Sequence, residues 1–103
     1  MLTQTTTAAK ADHTIWLHAD KGATVPSEMK AGETVEFSSK DGEVKIQFTD
    51  GWPFEGTRHD IDGSEICTLK EGDKAKFQCQ IKPPGGAYLP AYYGGEMQPR
   101  KGT

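Results

Sequence analysis

The sequence predicts an all-β domain, a sandwich of two sheets, and three observations carry that expectation. Apolar and polar residues alternate in several short runs, as on strands with one buried face. Turn chemistry falls between the runs, supplied by 12 Gly and 6 Pro spread along the chain. No stretch keeps a helical apolar period between caps, although the loop at 49–63 has room for one short helical turn.

The elements follow in chain order. Residues 1–12, MLTQTTTAAKAD, are rich in Thr and Ala without an apolar period and read as a loose N-terminal arm. The domain proper is expected over 13–103. HTIWLHA (13–19) puts Ile15 and Leu17 on one face and Trp16 and His18 on the other. The stretch 24–39 holds Pro26, an extended piece to Lys30, an Ala-Gly turn and a strand with Val35 and Phe37 inward. GEVKIQF (42–48) is the clearest strand, with Val44, Ile46 and Phe48 inward and Lys45 and Gln47 outward. Asp41-Gly42 ahead of it is strong turn chemistry. A loop (49–63), a short strand SEICTL (64–69) and a turn KEGD (70–73) come next. KAKFQCQI (74–81) alternates again, with Ala75, Phe77, Cys79 and Ile81 on one face. The chain closes in Pro/Gly loops with one last short strand around 92–98.

At 103 residues the chain holds one domain. Its net charge of −3 and lack of a basic, aromatic-interleaved cluster argue against a nucleic-acid partner. No apolar run is long enough to span a membrane. The first residues lack the charged and apolar regions of a secretory signal. Compartment stays open: cytoplasmic if Met1 is the natural start, periplasmic or secreted if a leader was removed. Cys67 and Cys79 fit either one disulfide or two free thiols. If 64–69 and 74–81 formed a hairpin, the two cysteines would lie on opposite faces. A crossover between sheets removes that objection.

The run VPSEMKAGETVEF (25–37) resembles the early strands of cupredoxin-like domains: a Pro-led strand, a Gly-acid turn and a Val-x-aromatic strand. GWPFEG (51–56) resembles the Pro-Phe loop of copper-free members. EGDKAKFQCQI (71–81) resembles the strand that carries the Cys into the C-terminal ligand loop. The resemblance covers about 13–98 and implies a Greek-key sandwich of two sheets. In copper-binding members it also implies two His, one Cys and a weak axial ligand, a set suited to copper electron transfer. Gly42, Glu43 and Val44 stand where the first His is expected. Cys79 matches the Cys, no His follows it within QIKPPGGAYLP, and Met97 is the candidate axial Met. A mononuclear copper site is therefore not expected. The alternative is a copper-binding or electron-transfer protein using Cys79 and Met97 with a His from elsewhere, such as His59.

The alternation places Cys79 in the core, where a thiol acts as a small hydrophobe. His13 and His18 differ by five positions, so on one strand they face opposite sides. His59 has Asp60 and Asp62 beside it, a metal or acid/base combination in form. Solvated turn residues look the same. The aromatic loops are the remaining signal. Trp52, Tyr88, Tyr92 and Tyr93 are the candidate binding residues, for a protein or a carbohydrate, should their loops meet at one end of the sandwich. Against this, Trp52 and Phe54 also suit the role of plugs for the open end of the core. No nucleophile elbow, phosphate loop or paired metal motif appears. The sequence thus predicts a small, soluble, non-catalytic binding or interaction domain, with no cofactor and no membrane or nucleic-acid partner.

Overall fold

The computed structural model describes residues 11–26, 28–72, 74–89 and 93–100. The strands are β1 (His13–His18), β2 (Gly22–Thr24), β3 (Thr34–Ser38), β4 (Glu43–Asp50), β5 (Asp60–Asp62), β6 (Ile66–Thr68), β7 (Ala75–Lys82) and β8 (Tyr93–Met97). They form two four-stranded sheets, ordered β2-β1-β3-β6 and β5-β4-β7-β8. No helix occurs among the described residues, so the room for a helical turn within 49–63 is not used. No helix there is long and apolar enough to cross a membrane.

The period-two pattern sets the core. Ile15, Leu17, Val35 and Phe37 from the first sheet meet Val44, Ile46, Phe48, Phe77, Cys79 and Ile81 from the second, all buried. Their alternate neighbours on β4 and β7, such as Lys45, Gln47 and Gln78, face solvent. Full burial of each large apolar side chain stabilises by about 1.5–3 kcal/mol, so a one-residue slip of register would invert the whole set.

Pairing departs from simple hairpins. β1 and β3 run parallel, with His13 opposite Val35 and Trp16 opposite Ser38. The Asp41-Gly42 turn joins β3 to β4, but these strands lie in different sheets. Gly42 has φ +150°, and a Cβ there would overlap the Lys82 carbonyl. Glycine is thus required where the turn presses on the end of β7.

β6 and β7 do not form a hairpin either. β6 pairs with β3 in the first sheet, Val35 opposite Cys67. β7 pairs with β4 in the second, Ile46 opposite Cys79. The sheets face each other with β2 over β8 and β3 over β4. That stacking sets β6 and β7 two strand positions apart, too far for a disulfide. Both cysteines are free thiols. Burial pushes the Cys79 thiol up to about 12. Burial also raises Cys67, with the Glu65 carboxylate adding to it.

Two sets of hydrogen bonds close the sides. Ala31 N donates to the Arg100 carbonyl and Arg100 N to the Met29 carbonyl, so the piece after Pro26 runs along the end of β8. Asp12 and Thr34 exchange hydrogen bonds at 2.9 Å, securing the entry to β1 against β3.

Candidate functional site

The loops gather at two ends of the sandwich, and β4 measures the distance between them. Its start, Glu43, lies opposite Lys82. Its finish, Asp50, lies opposite Lys76 after a register irregularity between Phe48 and Asp50.

At the finish of β4, Trp52, Pro53 and Phe54 close the core. Phe54 is 1 % exposed and bridges to Leu69. Lys70 N donates to the Pro53 carbonyl and Glu55 N to the Thr68 carbonyl, fastening the loop to the β6 extension. Trp52 and Phe54 each stack edge-on with Phe48 or each other, at centroid distances of 5.3–5.6 Å. Phe37 and Phe77 extend the cluster inward. Each such pair adds about 0.5–1.5 kcal/mol beyond area burial. The Trp52 indole Nε1 is buried with no hydrogen-bond partner among the described residues.

Tyr88 belongs to the other end. The segment after β7 turns at Pro83–Gly86, where Gly86 N donates to the Pro83 carbonyl. It then returns to β7 at Leu89, whose N donates to the Ile81 carbonyl and whose carbonyl accepts Gln80 Nε2 at 2.6 Å. Tyr88 is held between these anchors. Its ring lies 4.6 Å from Lys45 Nζ and 5.9 Å from Lys82 Nζ. Each ammonium sits on the electron-rich ring face, a contact of about 0.5–1 kcal/mol at an exposed site.

Two clefts flank the β3–β4 turn at this end. One, of about 440 Å³, lies between Glu36 and Ser38 on one side and Glu43, Asp62, Ser64 and Tyr88 on the other. The second, of about 390 Å³, is bordered by Lys40, Gly42, Lys82 and Pro84. The turn itself is braced: Asp41 Oδ2 accepts Ala19 N at 2.8 Å, and Ser39 Oγ accepts Asp41 N at 3.0 Å.

The structure therefore separates Trp52 from Tyr88. Lys45 and Asp50 alone are five strand residues apart, about 17 Å, and Trp52 lies beyond Asp50 while Tyr88 lies over Lys45. The shared aromatic platform expected of the two loops is not formed by this pair. Tyr93 enters β8 with its backbone opposite Cys79. Tyr92 lies outside the described residues.

The alternative metal residues are likewise dispersed. Cys79 is buried in mid-β7, opposite Ile46 and Tyr93. Met97, 1 % exposed, lies opposite Ala75, four residues back along β7 from Cys79 or about 13 Å. His59 is exposed at the rim of the second sheet, its carbonyl accepting Phe48 N at 2.7 Å. Neither loop-end cleft is lined by a histidine. Among the described residues no three His, Cys, Asp or Glu side chains converge as a ligand set.

One neighbouring feature escaped the sequence reading. Asp60–Asp62 forms an edge strand rather than part of a loop, and it lays its carboxylates beside Lys45 and Gln47. Nearby, Arg58 makes a bidentate pair with Glu65 at 2.7 and 2.8 Å. The Arg58 hydrogen bonds, joined by the Asp62 N–H, hold the Glu65 carboxyl down at about 2. Comparison with protein-family models, curated proteins and solved structures finds no match for this chain.

Proposed function

We propose that this chain is a copper-free, cupredoxin-like Greek-key domain that acts as a non-catalytic binding module, engaging its ligand at the end that carries Tyr88. The Greek-key reading is supported by the interlocked pairs, β3 with β6 and β4 with β7, and by the repeated crossing of the chain between sheets. The single observation that carries the functional reading is Tyr88 itself. It is an aromatic ring held on the rim of a hydroxyl- and carboxylate-lined cleft by a loop anchored at Leu89. Aromatic rims of this kind supply large contact area at low entropic cost. Trp52, at the far end and stacked on Phe48, serves the core in this reading.

The test is binding by wild type and Tyr88→Ala to immobilised arrays of neutral glycans and of peptides. Capture of at least one probe by the wild type, lost in Tyr88→Ala with unchanged circular dichroism and melting, is expected. Capture of none, or equal capture by the variant, contradicts the reading.

A further inference from the structure

We propose that the outer face of the first sheet, β2–β1–β3–β6, pairs with the same face of a second copy of this chain in a reversible dimer. Tyr88 rests over Lys45 of the second sheet, on the other side of the sandwich, so the inference goes beyond the ligand reading and does not depend on it.

Charge is divided unequally between the two outer faces. Across its four strands the first sheet carries one Asp, Glu, Lys or Arg, namely Glu36. The strands of the second sheet carry eight, Lys45, Asp60, Asp62 and Lys76 among them. Trp16 and Ile66, at 38 % and 41 %, are the exposed large hydrophobic side chains among the described residues, and both project from the outer face of the first sheet. Their immediate neighbours are small hydroxyl side chains and Glu36: Thr24 and Ser38 flank Trp16, and Glu36 separates Ile66 from Thr14. Depletion of charge around an exposed Trp is the composition of an interface centre, whereas the second sheet has that of a solvated face.

The second copy is selected because the face complements itself. Trp16 lies opposite Ser38 and Ile66 opposite Glu36, on the strands either side of β3, so the two apolar anchors are about 12 Å apart. Lys40, in the turn beyond β3, holds its Nζ 5.9 Å from the Trp16 ring centroid and still leaves Trp16 exposed. A cation thus accompanies Trp16, and an anion accompanies Ile66. A two-fold axis in the plane of contact, passing over the middle of β3, lays Trp16 of each copy over Ile66 of the other. The same rotation carries each Lys40 ammonium toward the Glu36 carboxylate of the other copy, so opposite charges meet and like charges stay apart. Such an isologous contact uses one patch twice. Strands about 4.8 Å apart and outward rows about 6.8 Å apart give a contact on the order of 1,000 Å² over both copies, enough for a specific but weak dimer.

The experiment is sedimentation velocity of the full chain from about 10 µM to about 1 mM, at low salt and under reducing conditions that exclude a disulfide through Cys67. A reversible monomer–dimer equilibrium is expected, weakened by added salt as the charge pairs are screened. Trp16→Ala and Ile66→Lys should each raise the dissociation constant about tenfold or more with circular dichroism unchanged. Glu36→Lys and Lys40→Glu should each raise it about fivefold or more, and the double variant should return to within about threefold of wild type, because the exchanged charges meet again across the axis. Tyr88→Ala should leave the dimer unchanged. A chain that stays monomeric at about 1 mM overturns the proposal. A dimer indifferent to Trp16→Ala and Ile66→Lys forms through another surface and overturns it too, as does a double charge variant no tighter than either single one.

Discussion

Gly63 offers a severe test of how the two sheets are held together. It lies just after β5, where the chain leaves the second sheet for β6 in the first, and its N donates to the Val44 carbonyl at 3.2 Å. Its φ is not in the left-handed region, so alanine meets no backbone strain there. Taken alone, Gly→Ala at such a site stabilises by about 0.4–1 kcal/mol through the unfolded chain. The structure reverses the sign. A Cβ at Gly63 would overlap Val44 Cγ2 and stand 2.8 Å from the Phe37 carbonyl oxygen, one contact from each sheet. Overpacking of this kind costs about 1–3 kcal/mol, leaving a net loss of about 1–2 kcal/mol for Gly63→Ala. At about 4–8 °C per kcal/mol for a domain near this size, the melting temperature should fall by roughly 10 °C. Urea and thermal unfolding followed by tryptophan fluorescence measure both. Val44→Ala removes the overlapping methyl, so Gly63→Ala should cost less in that background by about 0.5 kcal/mol or more. A Gly63→Ala chain as stable as wild type, or one equally destabilised with and without Val44, refutes the placement of this crossover.

Further outcomes follow from the same geometry. Phe54→Ala empties the plug between Phe37, Phe48 and Trp52 and should cost about 3–5 kcal/mol in urea unfolding, a large share of a small domain's stability. Glu65 is a depressed carboxylate, so its contribution is present above its ordinary value of 4.5 and is lost as pH falls toward about 2. The pair is well exposed, so the loss should stay within about 1 kcal/mol, and the difference between wild type and Glu65→Gln in acid titrations should vanish over that window. In thiol labelling at neutral pH, Cys79 should react only as the domain unfolds, because burial holds the thiol form; Cys67, half-buried on an edge strand, should react first.

Strand faces were legible in the sequence because burial on one side imposes a period of two. Ile15/Leu17, Val44/Ile46/Phe48 and Phe77/Cys79/Ile81 are inward as the alternation predicts. Pairing was less legible. The turn at 70–73 looks the same whether it joins neighbours or crosses between sheets, and the crossover is settled by distant contacts such as Leu69 with Glu33 and Phe54. β2 and β5 are three residues each, and Gly-Ala-Thr and Asp-Ile-Asp carry almost no apolar signal. The same limit applied to the site. Tyr88 stood out as an aromatic in a Gly/Pro loop, but its lysine neighbours come from β4 and the end of β7. The placing of Asp60 and Asp62 beside Gln47 and Lys45 exists only once the register of β4 and β5 is known.

On the proposed reading, the loop end carries the half-buried Tyr88 on the rim of a cleft and holds no copper through Cys79. Titration of the reduced protein with Cu(II), followed by visible absorption and by ¹⁵N–¹H spectra, tests it most directly. No intense thiolate-to-copper band and no selective paramagnetic broadening at Gly42, Cys79 and Tyr88 are expected. An intense visible band that disappears in Cys79→Ser, accompanied by broadening at those residues, would contradict it.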